Sequence, residues 1–311
     1  MPLNFKFIES FVGEYKEIIQ DTTLLRHDRY NILLKLKEHL AVSLNEYERF
    51  QFSIESIIKD IEKDSTTYEE LKDYHKRAEK SIEDFFLKED NVMDVHDLFR
   101  VIRDAITQKV LFLVEEELKK EGFGSPPADY IWVGLGSEGR DEQTIMTDQD
   151  NLIVFDDRKN VNISETLRKK AAKSNIRDSI EDIISYYFRE FAALAVERLH
   201  EVGFEKCKGN VMPTNPKWFG SIFSWKKKIN NTIANNYKGF ELLDIIILTD
   251  ARLLKGEKRL FDELMEHFFG FLSINKHIMR EFTKTAVMMP TALTFFGNFK
   301  TEKEGEFKGK F

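Results

Sequence analysis

Hydrophobic positions in the first 122 residues recur at three- and four-residue steps, the spacing that lines one side of an α-helix. Leu33, Leu36, Leu40 and Leu44 form one such stripe, and a run capped by Asp94 sets Leu98, Val101, Ile102, Ala105, Val110 and Leu113 on another. Gly and Pro are nearly missing until Gly122, so residues 1–122 are read as a helical domain, with Asp64-Ser65-Thr66-Thr67 separating two helices. Stripes of this kind are bundle packing, and His27, His39, His75 and His96 are assigned to packing rather than to a cofactor.

The pattern changes at residue 123. A short apolar and aromatic run at 130–135, bounded by Pro126-Pro127-Ala128-Asp129 and by glycines, predicts a buried strand, and 151–155 predicts another. Residues 179–202 predict a long amphipathic helix carried by Ile180, Ile183, Ile184, Tyr187, Phe191, Leu194 and Ala195 and closed by Gly203. Pro213 and Pro216 make 207–218 a loop, in which Trp218 is either a wall near a ligand or a core anchor. The isoleucine-rich run 241–249 predicts a central strand, and 260–271 and 274–289 predict helices. The expected fold class is therefore α+β: an N-terminal helical bundle (1–122), a small mixed-sheet domain (123–255) and a C-terminal helical region (256–311).

The chemistry is concentrated in 132–155. Gly136-Ser137 follows the first strand as a turn, where a glycine lets the backbone approach a ligand and a short helix aims free N–H groups at an anion such as a polyphosphate. Asp148 and Asp150 stand two residues apart, so in an extended chain both carboxylates leave the same face. Such a pair provides part of the oxygen cage that Mg²⁺ or Mn²⁺ shares with substrate phosphates. The bland alternative is a pair of solvated turn residues.

The same segment also matches a dinucleotide fingerprint, Gly134-Leu135-Gly136-Ser137-Glu138-Gly139, with Asp156 and Asp157 about 20 residues on. That fingerprint requires an amphipathic helix and a crossover to a parallel strand. Arg140-Asp141-Glu142-Gln143-Thr144 offers no apolar face, and the next strand begins too soon, so antiparallel or irregularly joined strands are expected instead.

Gly136-Ser137-Glu138-Gly139-Arg140-Asp141-Glu142-Gln143 and Thr147-Asp148-Gln149-Asp150-Asn151 resemble the signature of the DUF294 family of nucleotidyltransferases, and the likeness extends more loosely from about residue 104 to the end of the chain. The family is placed in the DNA polymerase β-like superfamily, beside the enzymes that uridylylate the PII signalling protein or adenylylate glutamine synthetase. The resemblance implies in-line attack of a hydroxyl, on a protein, on the α-phosphate of a nucleoside triphosphate, with pyrophosphate released and two divalent ions, Mg²⁺ or Mn²⁺, assisting. It implies Asp148 and Asp150 as catalytic metal ligands, a third acid, and Gly136, Ser137 and Arg140 as the triphosphate site. Asp250, in Asp250-Ala251-Arg252, is favoured as that third acid over Asp244 because it matches the Asp-x-Arg of the adenylylating relatives. Arg140 could equally pair with Glu142 or Asp148. The family's C-terminal region normally continues further, so the ending at Phe311 is read as a truncation or a short branch.

Composition narrows the partners. With 311 residues, 42% hydrophobic and 32% charged, the chain is long enough for two cores. A net charge of −7 argues against a broad nucleic-acid surface. Trp225-Lys226-Lys227-Lys228 is the densest basic cluster, read as a solvated helix face before a nucleotide or acidic-partner contact. No apolar run is long enough to cross a bilayer and no signal-peptide stretch opens the chain, so a cytoplasmic location is expected. Cys207, the only cysteine, has no intrachain disulfide partner and is read as inert. The helical region could dock a partner, mediate a homodimer or brace the catalytic sheet. Two functions stay open, an enzyme that transfers a nucleoside monophosphate in signalling and a silent nucleotide-sensing or partner-binding module.

Overall fold

The computed structural model describes residues 25–62, 67–89, 92–144, 148–234 and 240–288. Three long helices, α1 (Arg26–Glu62), α2 (Tyr68–Glu89) and α3 (Val92–Lys120), pack as a bundle through Ile54, Ile57, Ile61, Leu71, Ile82, Ile102 and Ile106. The predicted separation of two helices at Asp64-Ser65-Thr66-Thr67 lies, except for Thr67, outside the described residues. The stripe at the start of α1 does not do what its spacing predicts. Leu33 and Leu44 are more than half exposed, and the bundle contact is made one to two heptads later in the same helix.

Four strands follow: β1 (Tyr130–Gly134), β3 (Asn151–Phe155), β5 (Phe219–Ser221) and β6 (Arg252–Gly256), in the order β5-β3-β1-β6. A second, two-stranded ribbon pairs β2 (Asp148–Gln149) with β4 (Glu205–Lys206). β1 and β3 run antiparallel, Tyr130 opposite Phe155 and Gly134 opposite Asn151, which removes the parallel crossover that a dinucleotide fold needs. β6 pairs antiparallel with the other side of β1, while β5 lies parallel to β3.

Both faces of the sheet are covered, which is why its central strands read as unbroken apolar runs rather than alternating ones. Tyr130, Trp132, Ile153 and Phe155 face the bundle, α5 (Glu165–Lys173) and α6 (Ile180–Glu201). Helix α6 is the one predicted over 179–202, with the Ser179 hydroxyl accepting the Asp182 N–H at 3.1 Å as its cap. Phe188 of α6 stacks on Phe155 at 4.8 Å, and Phe191 meets Tyr130 edge-on at 5.1 Å. Each such ring, fully buried, contributes about 1.5–3 kcal/mol.

On the opposite face, Ile131, Val133, Leu152 and Val154 pack against α7 (Ile222–Ala234), α8 (Leu242–Thr249), α9 (Lys258–Ile274) and α10 (Lys276–Met288). The basic cluster belongs to this layer. Trp225 is wholly buried and donates to the Ile153 carbonyl at 3.0 Å, Lys226 pairs with Glu263, and Lys228 donates to the carbonyls of Pro216, Lys217 and Phe219. Trp218 is likewise a core anchor, packed against Phe240.

One predicted element is corrected. Residues 241–249 form the helix α8, not a central strand. Asp244 accepts the Glu241 N–H at 2.7 Å and so caps the helix N-terminus, and Ile245 and Leu248, three residues apart, are buried while Leu243 is exposed. The strand lies just beyond, as β6. Of the predicted C-terminal helices, Met289 is outside the described residues.

Candidate active site

The site begins where β1 ends. Leu135 is extended, and its N–H donates to the Asp150 carbonyl at 2.8 Å, tying the turn to the second strand. Gly136 then takes φ +56°, and a Cβ there would stand 2.7 Å from Asp150 Oδ2. Both the backbone conformation and the close approach therefore call for glycine. The chain next makes one helical turn, α4 (Gly136–Gly139), as the Gly-Ser motif predicts.

Asp148 and Asp150 are positioned by a different device. β2 pairs with β4 in parallel, Asp148 opposite Glu205 and Gln149 opposite Lys206, so that Asp150 and Cys207 follow on adjacent strands. Gln149, fully buried, locks the ribbon by donating to the Val196 and Phe204 carbonyls, both at 3.1 Å. The Asn151 N–H, bonded to the Val211 carbonyl at 2.9 Å, draws the loop after Cys207 against the same corner.

As a result, donor atoms of Asp148, Asp150 and Cys207 all lie within 4.8 Å of one another. Asp150 Oδ1 is buried with no hydrogen-bond partner. Burial raises the Asp150 carboxyl above its ordinary range, the Cys207 thiol that donates to it and the Arg140 charge oppose the rise, and Asp148 adds to it. Burial, followed by the Asp150 carboxylate, pushes the Cys207 thiol up to about 11. Two carboxylates held together with an unsatisfied oxygen are a poor arrangement for a bare protein and a suitable one for a divalent cation. The donor set fits such an ion.

Asp250 is outside this cluster. It is the C-cap of α8, and its carboxylate accepts from Arg140 Nη1 at 2.5 Å, while Arg140 Nε donates to Glu142 at 2.8 Å. Burial raises the Asp250 carboxyl and Arg140 pulls it back. Arg140 thus lies between the two acidic corners, close enough to act electrostatically on both Asp150 and Asp250. Asp244 is on α8, paired with Lys217 at 2.8 Å. β5, the strand beside β3, is Phe219-Gly220-Ser221 and brings no carboxylate.

Several supporting residues carry no sequence signal of their role. Glu138 is buried within α4 and accepts from Asn151 Nδ2 at 2.6 Å, joining the Gly136 turn to β3. Arg252 grips Asp104 of α3 in a two-pronged pair at 2.7 and 2.9 Å and donates to the Glu138 carbonyl at 3.1 Å. From the bundle, His96 Nδ1 lies 2.8 Å from the Gln143 carbonyl, and the fully buried Arg103 donates to the Thr144 carbonyl at 2.5 Å. The helical region therefore braces Gln143 and Thr144, beyond the Gly136 turn. Asp156 and Asp157 have no part in the corner, Asp156 being buried between Arg158 and Arg259.

The family model described as Putative nucleotidyltransferase DUF294 matches residues 76–238, which is more than half of the chain. The chain belongs to this family. No curated protein matches it. The DUF294 match takes in Gly136, Ser137, Arg140, Asp148, Asp150 and Cys207, together with His96, Arg103 and Asp104 of the bundle, and leaves Asp250 and Arg252 outside. Nucleotidyl transfer is the activity that DUF294 membership assigns. Among the described residues, no helix is long and apolar enough to cross a membrane.

The packing of α4 gives a direct test. A Cβ on Gly139 would sit 1.9 Å from the Asp250 carbonyl oxygen, a backbone atom that cannot swing aside, whereas one on Gly270 of α9 meets nothing within 4 Å. Gly139→Ala is expected to destabilise the protein by about 1–3 kcal/mol. Gly270→Ala is expected to stabilise it by about 0.5–1 kcal/mol. Denaturant unfolding of the two variants checks this, and equal midpoints would contradict the close approach of α4 to α8.

Proposed function

We propose that this protein is a metal-dependent nucleotidyltransferase that moves a nucleoside monophosphate from a nucleoside triphosphate to a hydroxyl on a protein, in signalling or regulation. The observation that supports this reading best is the convergence of Asp148 and Asp150 on the Gly136 turn, with a buried carboxylate oxygen left unsatisfied, in a chain of the DUF294 family.

In this reading Asp148 and Asp150 hold a divalent cation, Mg²⁺ or Mn²⁺. When bound, the cation neutralises phosphate charge and polarises the reacting oxygens. The backbone at Gly136 and Ser137, with the Ser137 hydroxyl, takes the triphosphate, because Gly136 opens the helical turn and carries no side chain to obstruct approach. Arg140, half exposed, adds a permanent positive charge at the rim, and Asp250 and Glu142 fix its direction. Asp250 acts here through Arg140 rather than on the cation. A protein acceptor agrees with the acidic net charge and with the resemblance to protein-modifying enzymes.

The test uses the full chain with Mn²⁺ or Mg²⁺ and each nucleoside triphosphate, labelled at either the α- or the γ-phosphate, with and without cell extract. Label is expected to reach a protein acceptor from the α-position only, with release of pyrophosphate. Transfer of γ-label would replace the proposal with a kinase. Nucleotide binding with no transfer to any acceptor would replace it with a sensor.

A further inference from the structure

The cation corner contains a sulfur atom that ordinary Mg²⁺ chemistry does not call for. Cys207 Sγ is one of three donor atoms that lie within 4.8 Å of one another, the others being carboxylate oxygens of Asp148 and Asp150. Its place is not a loop accident. The parallel register sets Asp148 opposite Glu205 and Gln149 opposite Lys206, Asp150 and Cys207 are the next residue on each segment and lie together, and buried Gln149 anchors that register from within. The Asn151 N–H to Val211 carbonyl bond holds the far side of the Cys207 loop. Among the described residues no acid joins Asp148 and Asp150 in that cluster: β5 brings none and Asp250 is committed to Arg140.

Resting on the cation reading above, we infer that Cys207 is the third protein donor to the ion held by Asp148 and Asp150, and that it biases the site away from Mg²⁺ toward a borderline transition-metal ion of the Mn²⁺ to Zn²⁺ series. The reason lies in ligand softness. Mg²⁺ is hard, demands oxygen in near-octahedral array and gains little from sulfur, whereas thiolate raises affinity for the later first-row ions. The thiol loses its proton to solvent as the ion binds. Two carboxylates and one thiolate carry three negative charges, enough to hold a divalent ion with a coordination position left for a substrate phosphate.

Co²⁺ is the probe, because thiolate bound to Co²⁺ gives a sulfur-to-metal charge-transfer band in the near ultraviolet that carboxylates do not. The full chain, reduced with a non-thiol reductant, is titrated with Co²⁺ while binding is followed separately by calorimetry. The expected result is a band that saturates at one ion per chain and is missing from both Cys207→Ser and Asp148→Asn/Asp150→Asn. Cys207→Ser is expected still to bind Mn²⁺ through its carboxylates, with affinity lowered by about tenfold or more, since even outer-shell changes cost that much, and with Mg²⁺ affinity little changed.

Heat release without the band in the unaltered protein would overturn the role of Cys207 and leave the carboxylate site standing. A band that survives in the double aspartate variant would overturn it too, since sulfur would then bind the ion without its neighbours. If no ion binds at all, with or without nucleotide, the cation reading itself fails. The spectrum of the unaltered protein decides the central point, so a misfolded variant cannot obscure it.

Discussion

Replacing Asp148 and Asp150 together by asparagine is expected to lower nucleotidyl transfer by at least ~10³-fold while leaving the protein as stable as before or slightly more so. The activity loss follows from removing the anionic cage, because a bound metal supplies several kcal/mol of transition-state stabilisation and ~4 kcal/mol corresponds to about three decades of rate. Stability moves the other way. Asp150 is held above its ordinary range chiefly by burial, with the Asp148 charge adding to the effect, so its ionised form costs the folded state free energy that the neutral amide does not. A site that is strained for function gains stability when its charges are removed. The two readings therefore separate cleanly in thermal unfolding. Mn²⁺ at concentrations above its dissociation constant is expected to raise the melting temperature of the unaltered chain and to leave that of the double variant where it was. A double variant that melts well below the parent would assign these aspartates to the fold instead.

What could be read from the chain alone depended on how local each signal was. The Gly136 turn, the strands on either side of it, and the long helix α6 carry their instructions within a few residues, in glycine placement, apolar runs and the Ser179 cap. The exclusion of a dinucleotide fold was equally local, since it needed only the shortness and polarity of 140–144. Helix α8 was misread because Leu242–Thr249 is apolar on nearly every side, so neither a period of two nor one of 3.6 stands out, and the capping contact from Asp244 decides the matter. Leu33, Leu40 and Leu44 show the opposite error, a proper helical stripe whose burial depends on what lies beside it.

Cys207 was not legible for a different reason. Its approach to Asp150 comes from the pairing of two strands of two residues each, and Glu205-Lys206 has nothing in its composition to announce a strand. The Arg252 to Asp104 pair joins residues 148 positions apart and makes the bundle part of the site. It is through such pairs, and through His96 and Arg103, that the N-terminal helices hold the Gly136 turn and Gln143 and Thr144 after it. The buried core likewise runs without interruption from Ile54 of α1 to Leu254 of β6. Any partner that shifts α3 would therefore reach the site directly.

Glu138 gives the site a pH dependence whose sign can be worked out. Burial raises its carboxyl from 4.5 to about 7, with the Asn151 hydrogen bond opposing, Asp104 adding, and Arg252 and Arg103 opposing. The folded chain thus holds this proton over a range in which the unfolded chain has released it. Below about 4.5 both states are protonated and Glu138 costs nothing. As pH rises through that window the unfolded state binds fewer protons, so stability falls, and above about 7 the penalty is complete. The displacement from 4.5 to about 7 corresponds to a loss on the order of 3 kcal/mol. Glu138→Gln keeps a carbonyl to accept the Asn151 amide and cannot ionise, so this share of the pH dependence is expected to vanish and the variant to be the more stable protein at pH 8. Asp156 and Glu263, whose burial is outweighed by their arginine and lysine partners, are held low and ionise below this range, and they contribute equally to both proteins. The difference between the two unfolding curves, measured in denaturant at pH 5, 6, 7 and 8, therefore isolates Glu138. It should widen from pH 5 to pH 7 and then level off. A difference that stays constant across those pH values would mean that Glu138 ionises in the folded state as it does in water, and that the link between the Gly136 turn and β3 is a charged one.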